Sequence, residues 1–145
     1  MPNYGTSVLN SAAAAAGAPY ATFHTTTRRA RIYKWLITTV TALTSSVGLI
    51  RSTNVPTATT SVTPQPYDAA DAAATALLDT AWGVVPTVGA NFLEEITLGP
   101  AIGAGLQDVW QSDKEITLAT ATWLVIWNSG ALAGSALSVT VAYDE

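Results

Sequence analysis

Ser135-Ala136-Leu137-Ser138-Val139-Thr140-Val141-Ala142-Tyr143 alternates residue by residue, with Asp144-Glu145 after it. Leu137, Val139, Val141 and Tyr143 fall on one face; Ser138, Thr140 and Ala142 fall on the other. A period of two is what a half-buried antiparallel strand requires. A chain ending on such a strand is expected to use it to complete a sheet. The stretch argues for a β scaffold, and no set of catalytic residue types accompanies it.

Working outward, the same chemistry recurs. Arg31-Ile32-Tyr33-Lys34-Trp35-Leu36-Ile37-Thr38-Thr39-Val40 is rich in β-branched and aromatic residues. As a strand it places Ile32, Lys34 and Leu36 on one face and Tyr33, Trp35 and Ile37 on the other. Residues 45–52 read as a second strand, and a turn near 41–45 would join the two as a hairpin. Shorter strands are expected at 22–27, 59–63, 77–82, 84–88, 92–98 and 106–110. A long β run opens at Glu115 and reaches Trp127. Gly83, Pro86, Gly89, Gly99-Pro100, Gly103 and Gly130 punctuate them. About eight short strands at this spacing predict an all-β, jelly-roll-like antiparallel β-sandwich. Alternating βα units are absent, which excludes a doubly wound fold.

Two segments depart from that pattern. Residues 1–20, with the run Ala12 to Ala16, predict an extended N-terminal arm, flexible or ordered by a partner. The sandwich domain then covers 21–145. Asp68, after Pro64 and Pro66, stands where a helix N-cap would, so one short helical turn is expected near 69–76.

Composition narrows the function. At 145 residues the chain is large enough for one domain with a real core. Charged residues make up 11%, about half of ordinary usage. Such a surface is either covered by partner subunits or made polar by Ser and Thr without charge. A net charge of −4 argues against direct nucleic-acid binding. No apolar run reaches the 18 or so residues of a membrane span, and no membrane partner is expected. With no cysteine there is no disulfide or thiolate metal site. No cofactor is expected.

The candidate chemistry is thin. His24 is the one histidine, and no sequence spacing gives it a base or nucleophile. Asp68 and Asp71 read as caps rather than calcium ligands. Glu94 and Glu95 would point to opposite faces of a strand. Four of the six basic residues cluster as Arg28, Arg29, Arg31 and Lys34. They suit an acidic neighbouring surface, including the Asp144-Glu145 tail of another copy. Of the five tryptophans, Trp123 and Trp127 share a strand face with Val125. Exposed, that row would form a sugar-binding platform; buried, it would be core or subunit interface. The expected capsid or subunit interface is Arg28, Arg29, Arg31, Lys34, Trp35, Trp123, Val125, Trp127 and Tyr143. No catalytic residue is expected.

Three stretches carry a resemblance: Arg31-Ile32-Tyr33, the block Thr63-Pro64-Gln65-Pro66-Tyr67-Asp68-Ala69-Ala70-Asp71-Ala72-Ala73, and the ending Val139-Thr140-Val141-Ala142-Tyr143-Asp144-Glu145. Together, in this order, they resemble a family of small virion proteins of tailed bacteriophages. The alanine-rich arm lies outside that pattern. The family's Asp-Pro-Ala-Asp-Pro spacing appears here without its prolines. The resemblance spans Arg31 to Glu145, and its motifs are structural. It implies a head decoration, or cement, protein at the capsid surface of the virion. Its partner would be the major capsid protein, and it would work as a homo-oligomer, commonly a trimer, bridging capsomers of the expanded shell. The alternative is another virion component (minor capsid, head fibre or tail protein) with a carbohydrate- or receptor-binding face.

Overall fold

The computed structural model describes residues 1–9, 14–111 and 114–145. Among them there are twelve strands and no helix. In chain order these are β1 (Asn3–Leu9), β2 (Pro19–His24), β3 (Ala30–Thr39), β4 (Ser45–Arg51), β5 (Thr57–Val62) and β6 (Gln65–Pro66). Then follow β7 (Leu77–Val84), β8 (Glu94–Leu98), β9 (Gly105–Val109), β10 (Ile116–Leu118), β11 (Trp123–Asn128) and β12 (Leu137–Asp144). They form two antiparallel sheets. The first runs β10-β3-β12-β1-β6, with β9 also on β3; the second runs β5-β7-β2-β11-β4-β8. The protein is an all-β sandwich.

The alternating stretch lies near the middle of the first sheet. β12 pairs with β3 on one side and β1 on the other. Leu137, Val139, Val141 and Tyr143 are each at most 3% exposed and face the second sheet. Phe23, Leu78, Leu124, Ile126, Val47 and Leu49 meet them across the gap. The Tyr143 ring stacks on Tyr4 at 5.4 Å and meets Phe23 edge-on at 4.7 Å. Aromatic pairs of this kind add about 0.5–1.5 kcal/mol each beyond the area they bury.

Several expectations need correction. Asn3–Leu9 is not an arm: it is strand β1, in register with β12 from Asn3↔Asp144 to Leu9↔Ser138. Tyr4 is fully buried there. The alanine run falls partly on residues 10–13, outside the described residues, while Ala14 belongs to the core. The helical turn near 69–76 does not form. Asp68 caps as expected, its side chain accepting from Ala70 N–H and its carbonyl from Asp71 N–H, but this closes a single tight turn. Residues 72–76 then carry no helix, because tertiary partners take their polar groups. Tyr4 donates to Ala72 O, Thr26 to Thr75 O, and Glu145 accepts from Thr75 and Ala76 N–H. A short alanine segment has too little intrinsic helix stability to resist them.

The β3–β4 hairpin is also absent. β12 occupies one edge of β3, and β9 and β10 share the other. Residues 40–44 therefore cross to the second sheet, where β4 pairs with β11 and β8. The corner is tied by buried Ser135, which binds Thr41 N–H through its hydroxyl and gives its own N–H to Ser45 Oγ at 2.7 Å. In β3 a register shift leaves Tyr33 as an extra residue, so Ile32 turns into the core with Trp35 and Ile37. Lys34 and Leu36 stay on the opposite face. The expected run from Glu115 to Trp127 is broken at residues 119–122 into β10 and β11, one in each sheet. The strand expected at 84–88 reduces to a single bridge, Ser52↔Val88.

Candidate functional site

The nine expected interface residues separate into three groups. Trp35 and Tyr143 are core residues, 2% and 0% exposed, and present nothing to a partner. The period of two located Tyr143 on an apolar face; that face is the inside of this chain's own sandwich. Val125 is also fully buried, and Trp123 and Trp127 beside it on the outer face of the second sheet are partly buried.

The basic residues come together in part. Arg28, Arg29 and Arg31 lie at and beyond the loop between β2 and β3. With Met1, Asp144 and Glu145 they line an open depression of about 540 Å³. Arg31 reaches Asp144 at 3.5 Å, the partnership expected between copies but made here within one chain. Glu145 is turned away toward Thr75 and Ala76. Arg28 and Arg29 are exposed and have no ion-pair partner among the described residues. Lys34 does not line this depression.

Sequence reasoning missed the polar centre of the second sheet. β7 lies beside β2, and the register Thr22↔Asp79 sets their side chains on one face. Asp79 is fully buried. Its Oδ2 takes the Thr22 hydroxyl at 2.9 Å and lies 2.8 Å from His24 Nδ1; its Oδ1 takes the Ser61 hydroxyl at 2.6 Å. Burial works to raise this carboxyl, but the bonds from His24, Ser61 and Thr22 outweigh it and hold Asp79 below its ordinary value. Trp82 Nε1 donates to Thr22 Oγ1, and the His24 ring stacks on Trp123 at 5.3 Å. The pair has the Asp–His half of a nucleophilic triad, but Ser61 bonds the carboxylate rather than the imidazole, so it does not stand where the nucleophile of such a triad would. Its evident work is to fix the His24 ring and, through it, Trp123. His24 and Asp79 are 55 residues apart, and only strand pairing joins them.

A carboxylate pair, Glu94 and Asp108, bridges the two sheets. Trp110 Nε1 donates to Glu94 on β8, and Trp35 Nε1 donates to Asp108 on β9. Burial first, and the facing Asp108 second, push Glu94 above its ordinary value, against the pull of the Trp110 indole. This arrangement locks β8 to β9. Among the described residues no three His, Asp or Glu side chains converge as a metal site.

No protein-family model, no curated protein and no solved structure matches this chain.

Proposed function

We propose that this chain is a structural virion protein that decorates a phage head, binding the major capsid protein and stabilising the expanded shell as a homo-oligomer, by resemblance a trimer. The observation that supports this reading is the placement of Arg28, Arg29 and Arg31 around one depression on a body of net charge −4. Arg31 is paired with Asp144 there, but exposed Arg28 and Arg29 remain to give an acidic body an oriented footing on a carboxylate-bearing surface. Leu9, Tyr67, Ile102 and Leu132 are large apolar residues left 61–80% exposed, which suits a protein covered by neighbours. Binding only the expanded shell stabilises it by mass action, and several weak footings on one rigid body sum to firm attachment.

Light scattering on the purified chain, then co-sedimentation with expanded and unexpanded shells, tests this reading. An oligomer that sediments only with expanded shells supports it. A monomer that sediments with neither removes it.

A second reading, a virion component with a carbohydrate- or receptor-binding face, is supported by the part of Trp123 and Trp127 left accessible on the outer face of the second sheet.

A further inference from the structure

One end of the sandwich carries no charge. β1, β3, β8 and β11 run toward it, and β2, β4, β9 and β12 start from it. Leu9 is level with Ser138, Thr39 with Leu137, Leu98 with Ser45, Gly105 with Thr38, and Trp127 with Pro19. Residues 14–18, 40–44, 99–104 and 129–136 form the described loops there. None of these segments contains Asp, Glu, Lys or Arg, and neither do the three strand residues next to each of them. Arg28, Arg29, Asp144 and Glu145 lie at the opposite end.

The uncharged end is open and apolar. Leu9, Leu43, Ile102 and Leu132 are 61%, 47%, 73% and 80% exposed, and each comes from a different connection. The polar groups around them are already paired inside the chain. Asn128 is fully buried; its Nδ2 lies 3.0 Å from both Ala15 O and Leu132 O, and its Oδ1 takes the Gly130 N–H. Thr39 donates its hydroxyl to Ala101 O and accepts the Gly103 N–H at its carbonyl. Buried Ser135 donates to Thr41 O. The loops are thus fixed to one another before any contact, and covering them leaves few polar groups without partners.

The chemistry restricts what can cover this end. A partner with charged groups there would lose their hydration and meet no counter-charge. The same end of a second copy brings no charge at all. Two chains of net charge −4 repel through most of their surfaces. Meeting by these ends, their nearest charges stand about 10 Å up the strands on each side. Like charges are then about 20 Å apart, beyond a Debye length of about 10 Å at 0.1 M salt. At about 4.8 Å between strands and about 10 Å between sheets, the end measures roughly 20 Å on a side. That outline is below the about 800 Å² per partner of a standard interface, so the contact is a weak one.

We propose that this uncharged end is a self-association surface, where Leu43, Ile102 and Leu132 of one copy pack against the same end of another. The contact is a property of the chain alone; its use on a shell rests on the decoration reading. Copies joined here splay outward, and the Arg28–Arg29 end of each stands at the periphery. Each copy then has its own footing, which is the arrangement that multivalent attachment needs.

Sedimentation velocity of the full chain from about 5 to about 500 μM, which brackets a weak contact, is the test. The parent is expected to associate reversibly as concentration rises. Ile102→Asp and Leu132→Asp, at exposed positions in separate loops, should each weaken association by about tenfold or more. Val55→Asp, 69% exposed and past the far end of β4, should associate like the parent. Raising salt should leave the association unchanged or tighten it, because no ion pair is made. Urea midpoints establish that each variant is folded, and either folded Asp variant decides. The proposal is overturned if the parent stays monomeric, if the Asp variants associate like the parent, if Val55→Asp weakens association equally, or if salt dissociates the copies. Co-sedimentation reads shell binding separately. A monomer that still sediments with expanded shells would overturn this surface and leave the decoration reading; an associating chain that ignores shells would do the reverse.

Discussion

Glu145 closes on the backbone of Ala76, its Oε1 accepting the amide proton at 2.6 Å, while Thr75 gives the same carboxylate both its N–H and its hydroxyl. The last side chain thus holds the extended segment that leads into β7, and β7 carries Asp79. Bonds to a charged acceptor are worth about 1.5–3 kcal/mol. Glu145→Ala should therefore lower stability by about 2 kcal/mol in urea unfolding, and Glu145→Gln by clearly less. Equal losses would show that the carboxylate charge is not what holds the segment.

Asp79 makes its contribution as an anion. Because its folded value is depressed, that contribution is complete above the unfolded value of about 3.9. It is lost as pH falls further, through the still lower folded value. Asp79→Asn should cost about 2–3 kcal/mol at neutral pH and flatten the acid limb of stability below about pH 4. Urea midpoints across that range decide it; an unchanged acid limb would assign the slope to other carboxylates.

Glu94 behaves in the opposite sense. Its folded value is raised, so the folded state favours the protonated acid. Stability is then greatest below the unfolded value of about 4.3 and declines as pH rises through the folded one. Glu94→Gln keeps an acceptor for Trp110 and removes the repulsion with Asp108. It should leave stability at pH 7 unchanged or raise it by up to about 0.5 kcal/mol, a small figure because the site is only half-buried. Thermal melts at pH 4 and pH 7 measure it, and a large loss at pH 7 would contradict this account.

Gly105 sits where β9 presses on β3. A Cβ added there would collide with the backbone carbonyl of Ile37, which cannot swing aside. Gly105→Ala should cost about 1–3 kcal/mol and loosen β9, seen as faster amide exchange from residues 105–109. Unaltered protection would mean that the two strands separate at little cost.

Arg28 and Arg29 have no ion-pair partner among the described residues, so replacing both by Ala should change the chain's own stability by less than about 0.5 kcal/mol. If the decoration reading holds, the same change weakens shell attachment and reduces its dependence on salt. Full attachment at high and low salt would take these residues out of the footing.

The parts of the fold legible in the sequence were those where one strand shows both faces clearly. β12, β4 and most of β3 announce themselves by alternation, because each lies between two neighbours over a single core. β1 did not: Gly5, Thr6 and Ser7 dilute the pattern, and its place is set by the edge that β12 offers rather than by its own propensity. The capping role of Asp68 was legible, but the helix was not decided locally, since Glu145 and Tyr4 compete for the same backbone from far away in sequence. The arginine cluster was visible as a run. The Asp79–His24–Trp123 chain was not, because it needs three strands, β7, β2 and β11, to be laid side by side.

The pairing of Tyr4 with Tyr143 sets a condition on biosynthesis. While the nascent chain grows, β1 and β3 both have their β12-facing edges bare, and the aromatic centre of the core is missing one of its rings. At about 5–20 residues per second, those edges stay open for several seconds until Leu137–Asp144 leaves the ribosome. Exposed edges of that kind invite pairing with the same strand of a neighbouring nascent chain. Polysomes, where such chains grow side by side, are where this hazard is greatest.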